Sequence, residues 1–567
     1  MSLFGSLQMA SNTLQAMQVG LHVVGNNIAN ANTPGYVREE VIYSPAPIQK
    51  NGQLVLGLGV EVDGIVQKID RFVLERLRNA TSDRANAEVQ EKAYANLENL
   101  IGELSDTDLS TAFTDFFASV DDALNDNDTL ATRNLVVLKG QSLAREINRL
   151  YQRGSTLHAE LDSRVSSIAS EINNLSEEIR QLNLRITEIE GGGLSGSEAG
   201  GLRTQRINAV AKLAKLVDIR VAEQPSGAMS VTVGGEYLVV DAIRRDVMAD
   251  VRTVDGRGAS IIRFTDLASP VNATGGELAG IYNARDRVIG QFLDNADKLS
   301  ANLIFEFNKL YSQGQGLVGF EKLSAQDTVR DASAPLDAAG LAFTPVNGSF
   351  NLLVHNKNTN VTETHTILVD LNGLDDDMSL DDLAAALDAV PGVTASVDTN
   401  GRLTIASDAS DTDFAFGDDT SGVLAALGLN TFFTGSSAGN IGVNAELNGI
   451  SNAAKFAASL GGINNDAHNT ERLSDFFTRR LDSNRGASLA DQYEQMVSEI
   501  AQGSTVAKGV AEGFRVFEAT LEGEATAVSG VNIDEEAIRM ITYQRTYQAS
   551  ARYIQTISEL LDILVSL

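Results

Sequence analysis

The first 37 residues of this 567-residue chain contain no Asp, Glu, Lys or Arg, although charged residues make up 21% of the whole; Arg38 is the first charge. Within that stretch Leu3, Leu7, Ala10, Leu14, Met17, Leu21, Val24 and Ile28 follow alternating steps of four and three. Such a repeat predicts a helix with one apolar seam, about 26 residues or ~39 Å long. Its other faces carry Ser, Gln, Asn and Thr, so no ion pairs support it, and an isolated helix of this kind is marginal in water. It needs a partner. The opposite end of the chain mirrors it. Asp534, Glu535 and Glu536 open a helix at the end where its dipole favours acids. Met540, Tyr543, Tyr547, Ser550, Ile554, Ile557, Leu561 and Leu564 then repeat steps of three and four, and Leu560, Ile563, Val565 and Leu567 widen the apolar face. Free termini usually fray, so a chain that ends in its most apolar helix is built to bury it. Two partnerships are open: the two helices pair with each other, or each pairs with copies in other subunits. The second predicts poorly ordered ends in a dilute monomer.

Composition removes several classes of function. Asp and Glu number 75 against 44 Lys and Arg, for a formal charge of -31 and a sequence pI near 4.5. That argues against binding a phosphate backbone or an anionic membrane surface. Cysteine is absent, which removes disulfides, thiolate metal sites and thiol nucleophiles. No run of 18 apolar residues predicts a membrane span, and the N-terminus lacks the basic region and apolar core of a secretory signal. Taken alone this reads as cytoplasmic, unless another export route operates. His22, His158, His355, His365 and His468 fall in no metal-ligand spacing. The Asp408, Asp411, Asp413, Asp418 and Asp419 cluster lacks the order of a calcium loop and reads as a solvated acidic face. No phosphate-binding loop and no nucleophile elbow occur in a suitable setting. The sequence therefore offers no catalytic, cofactor-binding or metal residue, and the expectation is a non-enzymatic protein without a cofactor.

The middle of the chain is mixed. Leu161, Val165, Ile168, Ile172, Leu175, Ile179, Leu182, Ile186 and Ile189 form the cleanest heptad run, with Gly191-Gly192-Gly193 as its stop. A second run passes through Leu489, Tyr493, Met496, Ile500, Gly503, Ala507, Val510, Phe514, Phe517 and Leu521. Their similar length predicts an antiparallel coiled coil within the chain, with a separate oligomerisation zipper as the alternative. Shorter helices are predicted near 76–104, 140–153 and 281–311. Met229 to Val240 alternates with period two around Gly234-Gly235, the signature of a hairpin. From 370 to 419 there are 13 acidic residues and one basic residue, Arg402. The fold class that follows is mixed α and β and multidomain, with a long helical coiled-coil core and β-rich outer parts. The expected organisation is nested. Residues 1–58 join 530–567 in a terminal helical assembly domain. Residues 59–314 join 446–529 in a helical domain with a β insertion near 220–265. Residues 315–445 form an acidic β-rich outer domain.

Two stretches then carry a resemblance. Gly25-Asn-Asn-Ile-Ala-Asn-Ala-Asn-Thr-Pro-Gly-Tyr36, followed by Val37-Arg38-Glu39, sits at the first helix end. Ser529-Gly-Val-Asn-Ile-Asp-Glu-Glu536 and Tyr543-Gln-Arg-Thr-Tyr-Gln-Ala-Ser-Ala-Arg552 sit at the other terminus. Together they resemble the axial proteins of the bacterial flagellum: rod, hook and hook-associated proteins. The length, the 418–434 segment and the central heptads are similar to the hook-associated protein 1 branch; the hook protein is the nearest alternative. The resemblance implies a structural subunit at the hook–filament junction, secreted through the flagellar type III route and self-associating in a ring-like or helical layer. It implies hook protein below, a second junction protein above and an export chaperone on the C-terminal helix, with no nucleic acid and no membrane insertion. The family motif falls on Asn30, Asn32, Thr33, Pro34, Gly35 and Tyr36. The expected assembly interface is the two seams: Leu3, Leu7, Leu14, Met17, Leu21, Val24 and Ile28 with Met540, Tyr547, Ile554, Ile557, Leu561 and Leu564. A secreted adhesin or enzyme with helical oligomerisation ends is the reading from a different class, with activity in the outer domain.

Overall fold

The computed structural model describes residues 3–51, 54–102, 108–126, 128–191, 195–254, 256–267, 269–374 and 377–566. Gly192, Gly193 and Leu567, named above, lie outside them, as do two of the acidic residues counted between 370 and 419, Asp375 and Asp376. The helices in chain order are α1 (Leu3–Ala29), α2 (Arg71–Ile101), α3 (Leu109–Asn125), α4 (Leu130–Ile189), α5 (Gly200–Leu216), α6 (Gly276–Tyr282), α7 (Gly290–Tyr311), α8 (Leu380–Asp388), α9 (Val423–Leu427), α10 (His468–Ser474), α11 (Leu489–Ser529) and α12 (Ile533–Ser566). The fold is mixed α and β and multidomain, dominated by long helices at and near both ends. The chain divides into two compact units, one of Met1–Ala93, Ala159–Arg287 and Thr505–Leu567 and one of Tyr94–His158 and Val288–Ser504. Their boundaries fall elsewhere than the nested scheme puts them.

In the first unit α1 and α12 pair antiparallel. Asn27 lies beside Glu536, and Gly20 lies against the Tyr543 ring. A Cβ on Gly20 would come 3.0 Å from that ring and would meet the Tyr43 hydroxyl. Only glycine lets the strand after α1 and the helix at the other terminus close on the same turn. Tyr43 and Tyr543 meet edge to face, with centroids 6.2 Å apart. Of the two partnerships left open, the fold adopts the one in which the two ends of the same chain pair. After α1 the chain forms an antiparallel ribbon of Glu39–Pro45 with Val60–Gln67, and a hairpin of Ile48–Asn51 with Leu54–Gly57.

The rest of this unit is a helix-on-sheet core. A four-stranded sheet orders Ile219–Glu223, Met229–Val233, Glu236–Val240 and Ile243–Arg244 side by side. Gly234 and Gly235 both take positive φ in the two-residue turn, as the hairpin pattern requires. The seam of α4 packs here: Val165, Ile168, Ile172 and Ile179 share one core with Leu213, Val231, Val239, Phe264 and Leu278. Along the same unit α11 is tied to α2 by Arg84–Glu518 at 2.7 Å and Arg515–Glu88 at 3.1 Å, with Arg515 also on Glu91.

The expected coiled coil between the two central heptad runs is therefore corrected. The α4 run spends its seam on a short helix and a sheet. On α11 the buried positions Leu489, Met496, Ile500, Ala511, Leu521 and Ala525 drift away from a seven-residue frame toward an eleven-residue one, the period of a nearly straight helix. Val510 and Phe517, expected on its seam, are 46% and 43% exposed. Asn173, off the α4 seam, is also far from idle. Its amide donates to the Val247 carbonyl at 2.8 Å and accepts from the Val247 N–H at 2.9 Å.

The second unit gathers aromatic rings where α3, α7 and α10 meet. Phe307 lies within 5.3–5.7 Å of Phe116, Phe432, Phe433 and Phe476. The sequence reading did not anticipate α3, although Leu109, Phe113, Phe116 and Val120 are buried at helical spacing. Further along, Gly348–Asn356 pairs with Val361–Val369 and Thr412–Gly417, and Lys322–Ser324, Leu403–Ser407 and Val393–Val397 form a second sheet. Ser379 caps α8 in a reciprocal box with Asp382. The acidic cluster is not uniformly solvated. Asp413 is buried and accepts from His355 at 2.9 Å. Asp419 is buried, accepts the N–H groups of Ser421, Gly422 and Leu424, and has its pKa pushed up chiefly by burial.

Ile179→Asp places an unpaired carboxylate in the first unit's core and costs several kcal/mol, against about 0.5 kcal/mol or less for Asn174→Asp on the exposed side. Urea unfolding of the full chain checks it. Equal losses at the two positions sink the seam assignment.

Candidate functional site

The site is the joint where the two chain ends meet, and it begins with asparagines. Asn30 donates from its backbone to the Asn26 carbonyl, and from its side chain to the same oxygen at 3.0 Å. Thr33 and Tyr36 then close successive turns through N–H contacts to Asn30 and Thr33. Gly35 takes φ +71°, and a Cβ there would collide with the Asn208 side chain. Asn32, Thr33, Pro34 and Gly35 are exposed, whereas Asn30 and Tyr36 are half-buried. The motif residues therefore shape a turn that delivers Tyr36 and Arg38 inward.

What they reach is a polar network spanning the sequence. The Arg38 Nε donates to the Glu536 Oε1 at 2.9 Å, and Nη2 stands 2.7 Å from the same oxygen. Asn27 Nδ2 donates to Glu536 Oε2 at 3.1 Å and to the Glu39 carbonyl at 2.9 Å. Asn27 Oδ1 accepts from the Tyr36 hydroxyl and the Glu39 N–H, both at 3.0 Å. The Arg38 N–H donates to the Ser529 carbonyl at 2.9 Å. Glu536 is 1% exposed and Arg38 5%, and 498 residues separate them. At the rim Arg539 pairs with Glu40 at 3.3 Å. Burial, followed by the negative charges of Glu39 and Glu536, raises the Tyr36 pKa to about 12. Burial is also the main cause that lifts Glu39 above the usual carboxylate range.

A buried ion pair adds little net stability, because both charges have lost water. Its value is register: one carboxylate with two filled oxygens accepts one docking geometry. Here it locks the first turn of α12 to the ribbon after α1. Sequence reading missed Asn27, Arg38 and Glu536 as a set. A signal existed, since Arg38 is the first charge after 37 uncharged residues, but nothing local points to its partner.

The expected assembly seams are largely spent on this pairing. Met17, Val24 and Ile557 are buried; Leu3, Leu7, Leu14, Leu21, Ile28, Met540, Tyr547, Ile554 and Leu561 are half-buried; Leu564 is exposed. At 100° per residue, Ile538, Ile541 and Ile563 lie away from the seam and Tyr553 and Leu560 flank it; together they form a second, broader apolar stripe on α12, and all are exposed. Val565 at the tip is 84% exposed. On α1 the outward face is uncharged and polar, with Gln8, Gln15, Gln18, His22 and Asn26 exposed.

Three family models match the chain. Residues 94–323 match the flagellar hook-associated protein FlgK helical domain, 524–567 the flagellar basal body rod FlgEFG protein C-terminal, and 7–36 the flagella basal body rod protein. Flagellar hook-associated protein 1 of Escherichia coli (strain K12) is 24% identical, over 98% of this chain and 98% of its own. The protein of that name from Bacillus subtilis (strain 168) is 25% identical over 100% of this chain and 98% of its own. The one from Salmonella typhimurium is 22% identical over 98% and 99%.

Glu536→Gln leaves the buried Arg38 charge with only the exposed Glu535, 3.8 Å away, at a cost of about 2–4 kcal/mol, while Arg38→Met with Glu536→Leu recovers most of it. Hydrogen exchange of the α12 amides reads both, and additive losses in the double variant disprove the pairing. Tyr36 stays protonated in the fold beyond its ordinary value of 10.0 and ionises near 12. Its contribution is therefore complete below pH 10 and falls between the two values. Tyr36→Phe flattens that alkaline loss, measured as the unfolding midpoint against pH.

Proposed function

The chain belongs to the flagellar hook-associated protein 1 family, and on that premise we propose that it sits at the junction between hook and filament and acts without catalysis. It is a structural axial protein of the bacterial flagellum, extracellular and self-associating. The observation that carries the junction reading is similarity along the whole chain to proteins named flagellar hook-associated protein 1. A hook protein shares the ends but has no reason to match through residues 94–323, where the hook-associated helical domain lies.

The mechanism runs from the joint outward. The Arg38–Glu536 pair fixes the register of α1 against α12, so each subunit presents a rigid two-helix element. The second stripe of α12, from Ile538 to Ile563, then packs on neighbouring copies. The uncharged outer face of α1 suits the wall of a channel that passes unfolded chains, because it offers no fixed charge to trap them. Hook protein below and a second junction protein above are the neighbours this position implies. Export by the flagellar type III route is the path this position implies. The exposed apolar end of α12 suits a helix-in-groove contact with an export chaperone before assembly.

Ending the chain after Ser558 removes Leu560 and Ile563 from the stripe, together with the exposed Leu564 and Val565, but keeps the buried Ile557. Each lost side chain forfeits roughly 1.5–3 kcal/mol of burial in the assembly. Cells carrying only this version form hooks without filaments and shed filament subunits into the medium. Electron microscopy reads the outcome, with circular dichroism showing that the shortened chain folds. Normal filaments there and in a full deletion refute the junction role; absent hooks favour the hook protein.

A further inference from the structure

One face of α11 is left uncovered by the described parts of the subunit. At 100° per residue, Val506, Gly509, Val510, Gly513, Val516 and Phe517 fall within an arc of about 120°. All six are exposed, the four large side chains by between 43% and 65%. Lys508, Glu512, Arg515 and Glu518 lie outside the arc, so α11 itself puts no charge on this face from 505 to 520. Its ion pairs are made elsewhere, Arg515 with Glu88, Glu91 and Glu512, and Glu518 with Arg84. Arg76 of α2 stands beside Phe517, 5.9 Å from the ring centroid, and is itself paired with Glu524 at 3.8 Å. Val506, Val510, Gly513 and Phe517 are spaced by four, three and four, the steps of a surface that meets another helix.

The two glycines separate this face from an ordinary patch of surface valines. Glycine in a helix interior is a destabilising choice, because it has the most backbone freedom to lose. At Gly503 the choice has a reason within the chain: a Cβ there would collide with the Tyr94 ring. At Gly509 and Gly513 a Cβ would meet nothing within 4 Å, so no described part of the subunit requires glycine at either position. One turn apart and flanked by Val506, Val510, Val516 and Phe517, they form an apolar notch. The distance between two packed helices is set by the side chains at their contact, so a notch without side chains admits a second backbone closely.

We propose that this face of α11 packs against a helix of a second copy of the chain, whose backbone seats on Gly509 and Gly513. The proposal rests on the self-association stated above and names a surface through which it occurs. Continuity selects the occupant. Only three residues separate the end of α11 at Ser529 from the start of α12 at Ile533, so copies that meet along the exposed stripe of α12 also meet along α11. The spacing calls for a helix rather than a strand or loop, and the uncharged face sets aside partners recognised by charge.

The test uses the full chain in flagellated cells. The photo-crosslinker p-benzoylphenylalanine replaces Val510, on the face, or Lys508, on the same helix but off it. Irradiating assembled flagella yields a crosslinked dimer of this chain from position 510, mapped to a helix of the second copy. Position 508 yields about tenfold less, and the dilute monomer yields none from either. Gly509→Leu with Gly513→Leu fills the notch and lowers the yield from 510 about tenfold or more. The same double variant melts, as a monomer, at an equal or higher temperature, because leucine is the better helix former and has room there. No dimer from 510, equal yields from 508 and 510, a crosslink to a different protein, a yield indifferent to the two leucines, or a lowered melting temperature overturns the proposal. Hooks that still carry filaments alongside any of those results leave the junction role standing.

Discussion

Everything at the ends of this molecule depends on one buried ion pair between residues 498 positions apart. Bringing such distant segments together costs loop-closure entropy, but that cost grows only logarithmically, by about 0.6 kcal/mol per doubling of length. Once the first unit has folded, the Arg38 N–H is hydrogen-bonded to Ser529, and the remaining loop to Glu536 is a few residues. The pair then forms almost as a local contact. Its work is selective rather than adhesive. A shift of α12 by one residue against α1 would strand two charges and the Asn27 amide away from water, a penalty no apolar seam imposes.

The polar joint also explains why the two heptad seams alone do not define the pairing. Heptads tolerate sliding by whole repeats, and α1 carries no charges with which to refuse a wrong register. Gly20 under Tyr43 and Tyr543 adds a steric check, and the Asn27–Glu536 bond adds an electrostatic one. Both checks sit in the same half of the helix pair, close to the ribbon. The tips, with Phe4 on α1 and Val565 on α12 exposed, are left to the apolar seam.

How much of this was legible follows from the range of each signal. Both terminal helices, the α4 heptads and the Gly234-Gly235 hairpin are local patterns, and the chain adopts each. Partners are not local. The α4 run chose α5 and a sheet because Leu213, Val231 and Phe264 supply a broad apolar surface, something a heptad count cannot see. On α11 the seam drifted from Val510 to Ala511, because a helix that winds around no partner keeps its own period. Asn27, Arg38 and Glu536 left no pattern, since a polar pair is defined by its other half. Asp413 and Asp419 read as surface acids until backbone N–H groups were found to surround Asp419, and a histidine beside Asp413.

The assembly residues show the same division most sharply. The seam is the strongest pattern on α12, and it faces inward. The stripe through Ile538, Ile541, Tyr553, Leu560 and Ile563 is interrupted by Arg545 and Arg552 and has no heptad regularity, yet it is what the folded subunit shows to its surroundings. This arrangement has a physical advantage for a subunit that waits before it assembles. A helix pair that buries its better seam exposes only a broken apolar surface, which limits indiscriminate sticking. It also arrives ordered, so the entropy of forming the pair is not charged to the interface. An acidic chain adds general repulsion between free copies, and the uncharged α1 is exempt from it. Contact between copies is therefore least opposed where the helices lie, which directs association to the ends of the chain.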